Sequence, residues 1–94
     1  MSAYIVGTIT VRDEALWAQY LAGVAETFGS YGGEVLLRAN MPVPLAGLAH
    51  GERVVVARFE DMPALRRWFE SPEYQSLIRL RDAAADVVLT AYQG

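Results

Sequence analysis

The chain has 94 residues, a formal charge of −3, no cysteine and a single histidine, which limits it to one domain over residues 1–94 with one modest core. The missing cysteine excludes disulfide staples and thiolate chemistry, and basic residues scattered along the chain supply no electrostatic footprint for nucleic acid. No apolar run approaches the roughly 18 residues of a membrane span, and the amino terminus lacks the basic region of a secretory signal, so the expectation is a cytoplasmic protein with neither nucleic acid nor membrane as partner.

Ala3–Val11, AYIVGTITV, carries the β-branched enrichment of a strand. Asp13 then offers an N-cap oxygen and Glu14 a first-turn carboxylate. Leu16, Tyr20, Val24 and Phe28 recur at helical spacing until the glycines of GSYGG end the run. EVLLRAN, 34–40, reads as a second strand. Residues 40–52 hold Pro42, Pro44, Gly47 and Gly51 and so form a loop, unusually apolar for one. RVVVARFE, 53–60, is a third strand, after which Asp61 caps a short helix with Pro63 in its first turn. At Ser71-Pro72 an N-cap meets a residue suited to the first helical position, and the proline drives Ser71 out of the helical region. The second helix is therefore predicted to break there, gathering Trp68, Phe69 and Tyr74 towards one corner. DVVLTAYQ, 86–93, completes the order β-α-β-β-α-β, an α+β, ferredoxin-like plan with a four-stranded antiparallel sheet.

Strand alternation sorts these residues into two faces. Ile5, Ile9, Val35, Leu37, Ala39, Val55, Ala57 and Leu89 fall on a purely apolar face suited to carry the helices. The other face mixes Tyr4, Val6, Leu36, Val54, Val56 and Tyr92 with Thr8, Glu34, Arg38 and Arg58, a composition that suits neither solvent nor a plain core. So short a chain has no third layer to offer, and the mixed face is expected to pack against a second copy.

Four segments, YGGEVLLR (31–38), ERVVVARF (52–59), RWFESPEYQ (67–75) and LRDAAAD (80–86), resemble in order and spacing the family catalogued as domain of unknown function 1330, across nearly the whole chain. The resemblance implies a dimeric α/β barrel in which two sheets face each other. It implies no single activity, because the superfamily includes antibiotic-biosynthesis monooxygenases, muconolactone isomerases and haem-dependent enzymes. The family's recurring polar and aromatic residues fall on Tyr20, Tyr31, Arg38, Arg53, Trp68, Ser71, Tyr74 and Arg81. Arg58 and Ala46 stand where members often carry Glu, so those two carboxylates are missing here.

Two functions follow from the residues. In the first, a pocket between sheet and helices, gated by the loop 40–52, binds a compact, partly aromatic metabolite through an anionic or carbonyl oxygen. Arg38, Arg58, Trp68 and Arg81 are then the candidate substrate-binding residues. Tyr20, Tyr74 and His50 are the candidate catalytic ones, moving a proton in a cofactor-independent oxygenation, isomerisation or cyclisation. In the second, the protein is a non-catalytic binding, scaffold or sensor module whose arginines form interface ion pairs and whose loop is an arm laid over the partner. Catalysis predicts a cavity, Arg58 unpaired and a free tyrosine hydroxyl; the scaffold predicts a filled interior with Glu34 bonded to an arginine. His50 has no identifiable partner in the sequence, no metal-ligand spacing occurs, and no cofactor is expected.

Overall fold

Local capping chemistry sets where each helix begins. In the computed structural model, which describes residues 1–94, Asp13 Oδ1 accepts a hydrogen bond from Leu16 N at 3.0 Å and Asp61 Oδ1 one from Ala64 N at 2.8 Å. Ser71 Oγ accepts from Tyr74 N at 3.1 Å while donating to the Trp68 carbonyl at 2.7 Å. The elements are β1 (Ala3–Val11), α1 (Glu14–Tyr31), β2 (Glu34–Asn40), β3 (Arg53–Phe59), α2 (Met62–Glu70), α3 (Pro72–Gln75), α4 (Ile78–Ala84) and β4 (Ala85–Gln93). The predicted break at Ser71 is present, and a second one follows at Ser76-Leu77, where no side chain caps α4. No helix is long and apolar enough to cross a membrane.

The strands form one open antiparallel sheet in the order β2-β3-β1-β4. The helices cover one side of it, giving a slab of 32 × 31 × 16 Å, two layers thick. In β1 the alternation holds, with Ala3, Ile5 and Ile9 buried under the helices and Tyr4, Val6 and Thr8 half-buried on the open face. In β2 it fails. Glu34 and Val35 pair with Arg58 and Ala57, but the next partners are Leu37 with Val56 and Arg38 with Val55, so Leu36 is an extra residue, a β-bulge. Residues paired across strands share a face. Arg38 therefore joins Val55 on the helix face, and Leu37 and Ala39 move to the open face, the reverse of the assignment that strict alternation gives.

The two helix breaks fold α2, α3 and α4 around an aromatic cluster. Trp68, Tyr74 and Phe59 are the largest fully buried side chains. Trp68 lies 4.3 Å from Tyr74, 5.0 Å from Phe28 and 5.6 Å from Phe59 between ring centroids. Had α2 run straight on, Tyr74 would follow its axis away from Trp68; the turn at Ser71-Pro72 brings it back underneath. The second break seats Leu77 against Gly23 of α1, where a Cβ would stand 2.7 Å from the Leu77 side chain.

Candidate functional site

Between the sheet and α1 lies a cavity of about 290 Å³. Its floor includes Ile5, Val55 and Ala57, and its roof Trp17, Tyr20 and Val24 of α1 with Trp68 of α2. Apolar walls of this kind suit a compact organic ligand and leave orientation to a few polar groups. Two of these, Arg38 and Asn40, come from the end of β2 and a third, Arg53, from the start of β3. Arg53 Nη2 sits 2.5 Å from Glu14 Oε2, whereas the exposed Arg38 side chain has no hydrogen bond or ion pair within the chain.

A buried chain of polar groups backs the cavity. Arg81 Nη1 donates to Tyr74 Oη at 3.1 Å, and the Tyr74 and Tyr20 hydroxyls share a hydrogen bond of 2.9 Å. Arg81 Nε is in turn anchored on Asp82 Oδ1 at 3.0 Å. Burial, reinforced by the neighbouring Tyr74, pushes the Tyr20 hydroxyl far above its ordinary value near 10. Tyr20 is thus a neutral hydrogen-bond donor at physiological pH rather than a phenolate base. The sign of the linkage gives a test. An unfolded chain releases the tyrosine proton first, so the stability tied to neutral Tyr20 is intact below about pH 10 and declines as pH rises past it, by up to ~1.4 kcal/mol per pH unit. Urea unfolding at about pH 8 and pH 11 should show a smaller alkaline loss for Tyr20→Phe than for the parent chain; equal losses would contradict the buried hydroxyl.

The structure divides the residues singled out in the sequence. Tyr20, Arg38 and Trp68 line the cavity, and Tyr74 and Arg81 stand behind Tyr20. Arg58 and His50 lie on the opposite, open face. Arg58 Nε donates to Ser2 Oγ at 3.1 Å and Nη1 is 3.9 Å from Glu34 Oε2, its cross-strand neighbour. His50 has partners that the sequence concealed: Nδ1 meets Thr8 Oγ1 at 2.7 Å and Nε2 lies 3.4 Å from Asp86 Oδ2. A hydroxyl, an imidazole and a carboxylate thus pin the loop 40–52 to the sheet. The loop's apolar tip has no such attachment, with Leu45 95 % and Leu48 101 % exposed. Tyr31 donates to Glu73 Oε2 at 2.7 Å, joining the end of α1 to α3; that bond raises the Tyr31 pKa. In the sequence Arg53 stands only as a recurring family position and Glu14 only as a first-turn carboxylate, and no local pattern joins them across 39 residues.

A protein-family model described as domain of unknown function (DUF1330) matches residues 2–94. None of the curated proteins matches the sequence. Among solved structures, the RPA0582 protein of unknown function from Rhodopseudomonas palustris superposes with a TM-score of 0.83 at 19 % identity, over 99 % of this chain and 82 % of that one. SnoaB, a cofactor-independent oxygenase from Streptomyces nogalater, gives 0.72 at 17 % identity, over 99 % and 92 %. A dimeric ferredoxin-like protein of unknown function from Thermobifida fusca gives 0.64 at 14 %, over 100 % and 92 %. At these identities the likeness establishes the ferredoxin-like fold.

Proposed function

The chain belongs to the DUF1330 family, and on that footing we propose that it is a cytoplasmic homodimer that binds a compact, largely apolar metabolite and transforms it without a cofactor, by oxygenation, isomerisation or cyclisation. The observation that carries this reading is the cavity of about 290 Å³, apolar apart from Arg38, Asn40 and Arg53 at its mouth, with the Arg38 guanidinium unpaired and Tyr20 in the wall. Each hydroxyl has one proton to give. If Arg81 donates to Tyr74 and Tyr74 to Tyr20, the Tyr20 proton is left for an acceptor in the cavity, polarised by the cation behind it. Such a donor stabilises the oxygen of a ligand that has lost its proton to solvent as an enolate or phenolate, the electron-rich form that either takes up dissolved dioxygen or is reprotonated at a different carbon. The fold shared with SnoaB, itself a cofactor-independent oxygenase, agrees with this chemistry.

The dimer rests on the open face. Val88 is 45 % and Tyr92 54 % exposed in a slab with no third layer, and one fold neighbour is a dimeric protein. Packing two such faces together would give the sheet-to-sheet arrangement that the family resemblance implies. Val56→Asp, on that face between Val6 and Leu37, is expected to yield a folded monomer in sedimentation equilibrium. A dimer unchanged by this substitution would exclude the face.

A non-catalytic sensor built on the same cavity has specific support in the Arg58–Glu34 contact and the mutual engagement of Tyr20 and Tyr74. Native mass spectrometry of protein purified from its own host, followed by incubation of any retained compound under oxygen, separates the two. A dimer carrying one small molecule per subunit, and a new product mass on incubation, is the expected result. A retained compound returned unchanged supports the sensor, and an empty monomer overturns both.

A further inference from the structure

The two guanidinium groups at the cavity mouth are not equivalent. Arg53 is held by Glu14 at 2.5 Å, a pair that ties the first residue of β3 to the first turn of α1 and cancels one positive charge. The chain's other ion pairs engage His50, Arg58 and Arg81, leaving Arg38 without a carboxylate. Leu36 decides that outcome, because without the bulge Arg38 would lie on the open face with Glu34 and Arg58. Arg38 is exposed at the mouth, and its guanidinium recognises carboxylate-like groups in a two-pronged geometry.

We infer that the cavity is selective for a monoanion: a ring-sized apolar acid presenting one carboxylate, sulfonate or enolate to Arg38, with Glu14 setting the charge preference by keeping Arg53 occupied. This deepens the binding reading above and rests on it. A second negative charge on the ligand would find Arg53 already neutralised and the exposed Glu14 carboxylate beside it, 68 % accessible.

Two dyes that share their rings test the inference. 8-Anilinonaphthalene-1-sulfonate carries one negative charge, and N-phenyl-1-naphthylamine carries none. Both are titrated by fluorescence into the intact protein, and the quantity read is the ratio of their affinities. Arg38→Met is expected to lower the anion-to-neutral ratio about tenfold with neutral-dye binding preserved. Glu14→Gln should raise the ratio about fivefold by releasing Arg53, and salt at about 0.5 M should compress both changes. Val24→Phe, which fills the cavity from α1, should weaken both dyes and so locate them inside it. An unchanged ratio in Arg38→Met, with the neutral dye still bound and still blocked by Val24→Phe, overturns the monoanion inference alone. Failure of both dyes to bind, or binding indifferent to Val24→Phe, overturns the cavity reading and the inference with it.

Discussion

Replacing Trp68 by alanine is expected to cost about 3–5 kcal/mol of unfolding free energy, the largest loss from any single side chain in the domain. Trp68 is 2 % exposed and touches aromatic rings from α1, β3 and α3, so its removal opens a void that three different elements would have to collapse into. The loss is also polar. Its Nε1 donates at 2.9 Å to Thr27 Oγ1, a buried hydroxyl whose own proton already goes to the Val24 carbonyl at 2.8 Å. Without the indole that oxygen keeps an unmet lone pair, at a cost of about 1–3 kcal/mol. Trp68→Phe keeps most of the packing and should isolate the polar part at about 1–2 kcal/mol. Domains of this size have about 5–15 kcal/mol in total, so Trp68→Ala leaves a marginal fold. Urea unfolding followed by far-ultraviolet circular dichroism, with Trp17 as an independent fluorescent reporter, measures it; a loss below about 1 kcal/mol would contradict the central place given to this side chain.

Gly51→Ala should be nearly as damaging, by a different mechanism. Gly51 adopts φ +77°, and a Cβ there would lie 2.6 Å from Ile9 N and 2.9 Å from Ile9 C and O. Those atoms are backbone of β1, which is bonded to strands on both sides and cannot yield. The base of the loop must lift instead, breaking the hydrogen bonds from Glu52 N to Ile9 O at 2.8 Å and from Met41 N to Glu52 O at 3.1 Å. Left-handed strain of about 1–2 kcal/mol plus about 1 kcal/mol for each lost bond gives an expected cost of about 2–4 kcal/mol. His50 would leave Thr8, and Arg53, two residues on, would lose its alignment with Glu14, so the cavity mouth is disturbed along with the loop. Hydrogen exchange at the Glu52 and Met41 amides should accelerate. Native-like protection of both would contradict the close approach.

Local chemistry was readable in the sequence, whereas pairing was not. Asp13, Asp61 and Ser71 announce helix starts because a cap is settled within three residues, and each is found bonded as its residue type demands. Arg38 was misplaced because Leu36 and Leu37 are both apolar leucines, so the pattern carries no mark of the residue that falls out of phase. The partners of His50 and Tyr20 lie 42 and 54 residues away in the chain, Thr8 and Tyr74 respectively, and nothing short of the sheet register and the helix break brings them together. Arg58 and His50 share no pocket with Tyr20 and Trp68, and for Arg58 the strand pattern already contains the reason. Alternation puts Arg58 on the face away from the helices, and a sheet one residue thick keeps its two faces apart. Glu34, expected beside an arginine, lies 3.9 Å from Arg58 because the two share that face.

The bulge in β2 makes the cavity's charge a matter of pairing register. Deleting the single residue Leu36 would straighten the strand yet leave Leu37 opposite Val56 and Arg38 opposite Val55, whereas a one-residue slip that paired Leu36 with Val56 would turn Leu37 towards the helices and carry Arg38 through the sheet to the far side. β2 is an edge strand, paired on one side only, and such strands absorb a one-residue change with little loss of ladder bonding. Pairing register at β2, as well as composition, therefore decides whether this chamber presents a free cation to what enters it.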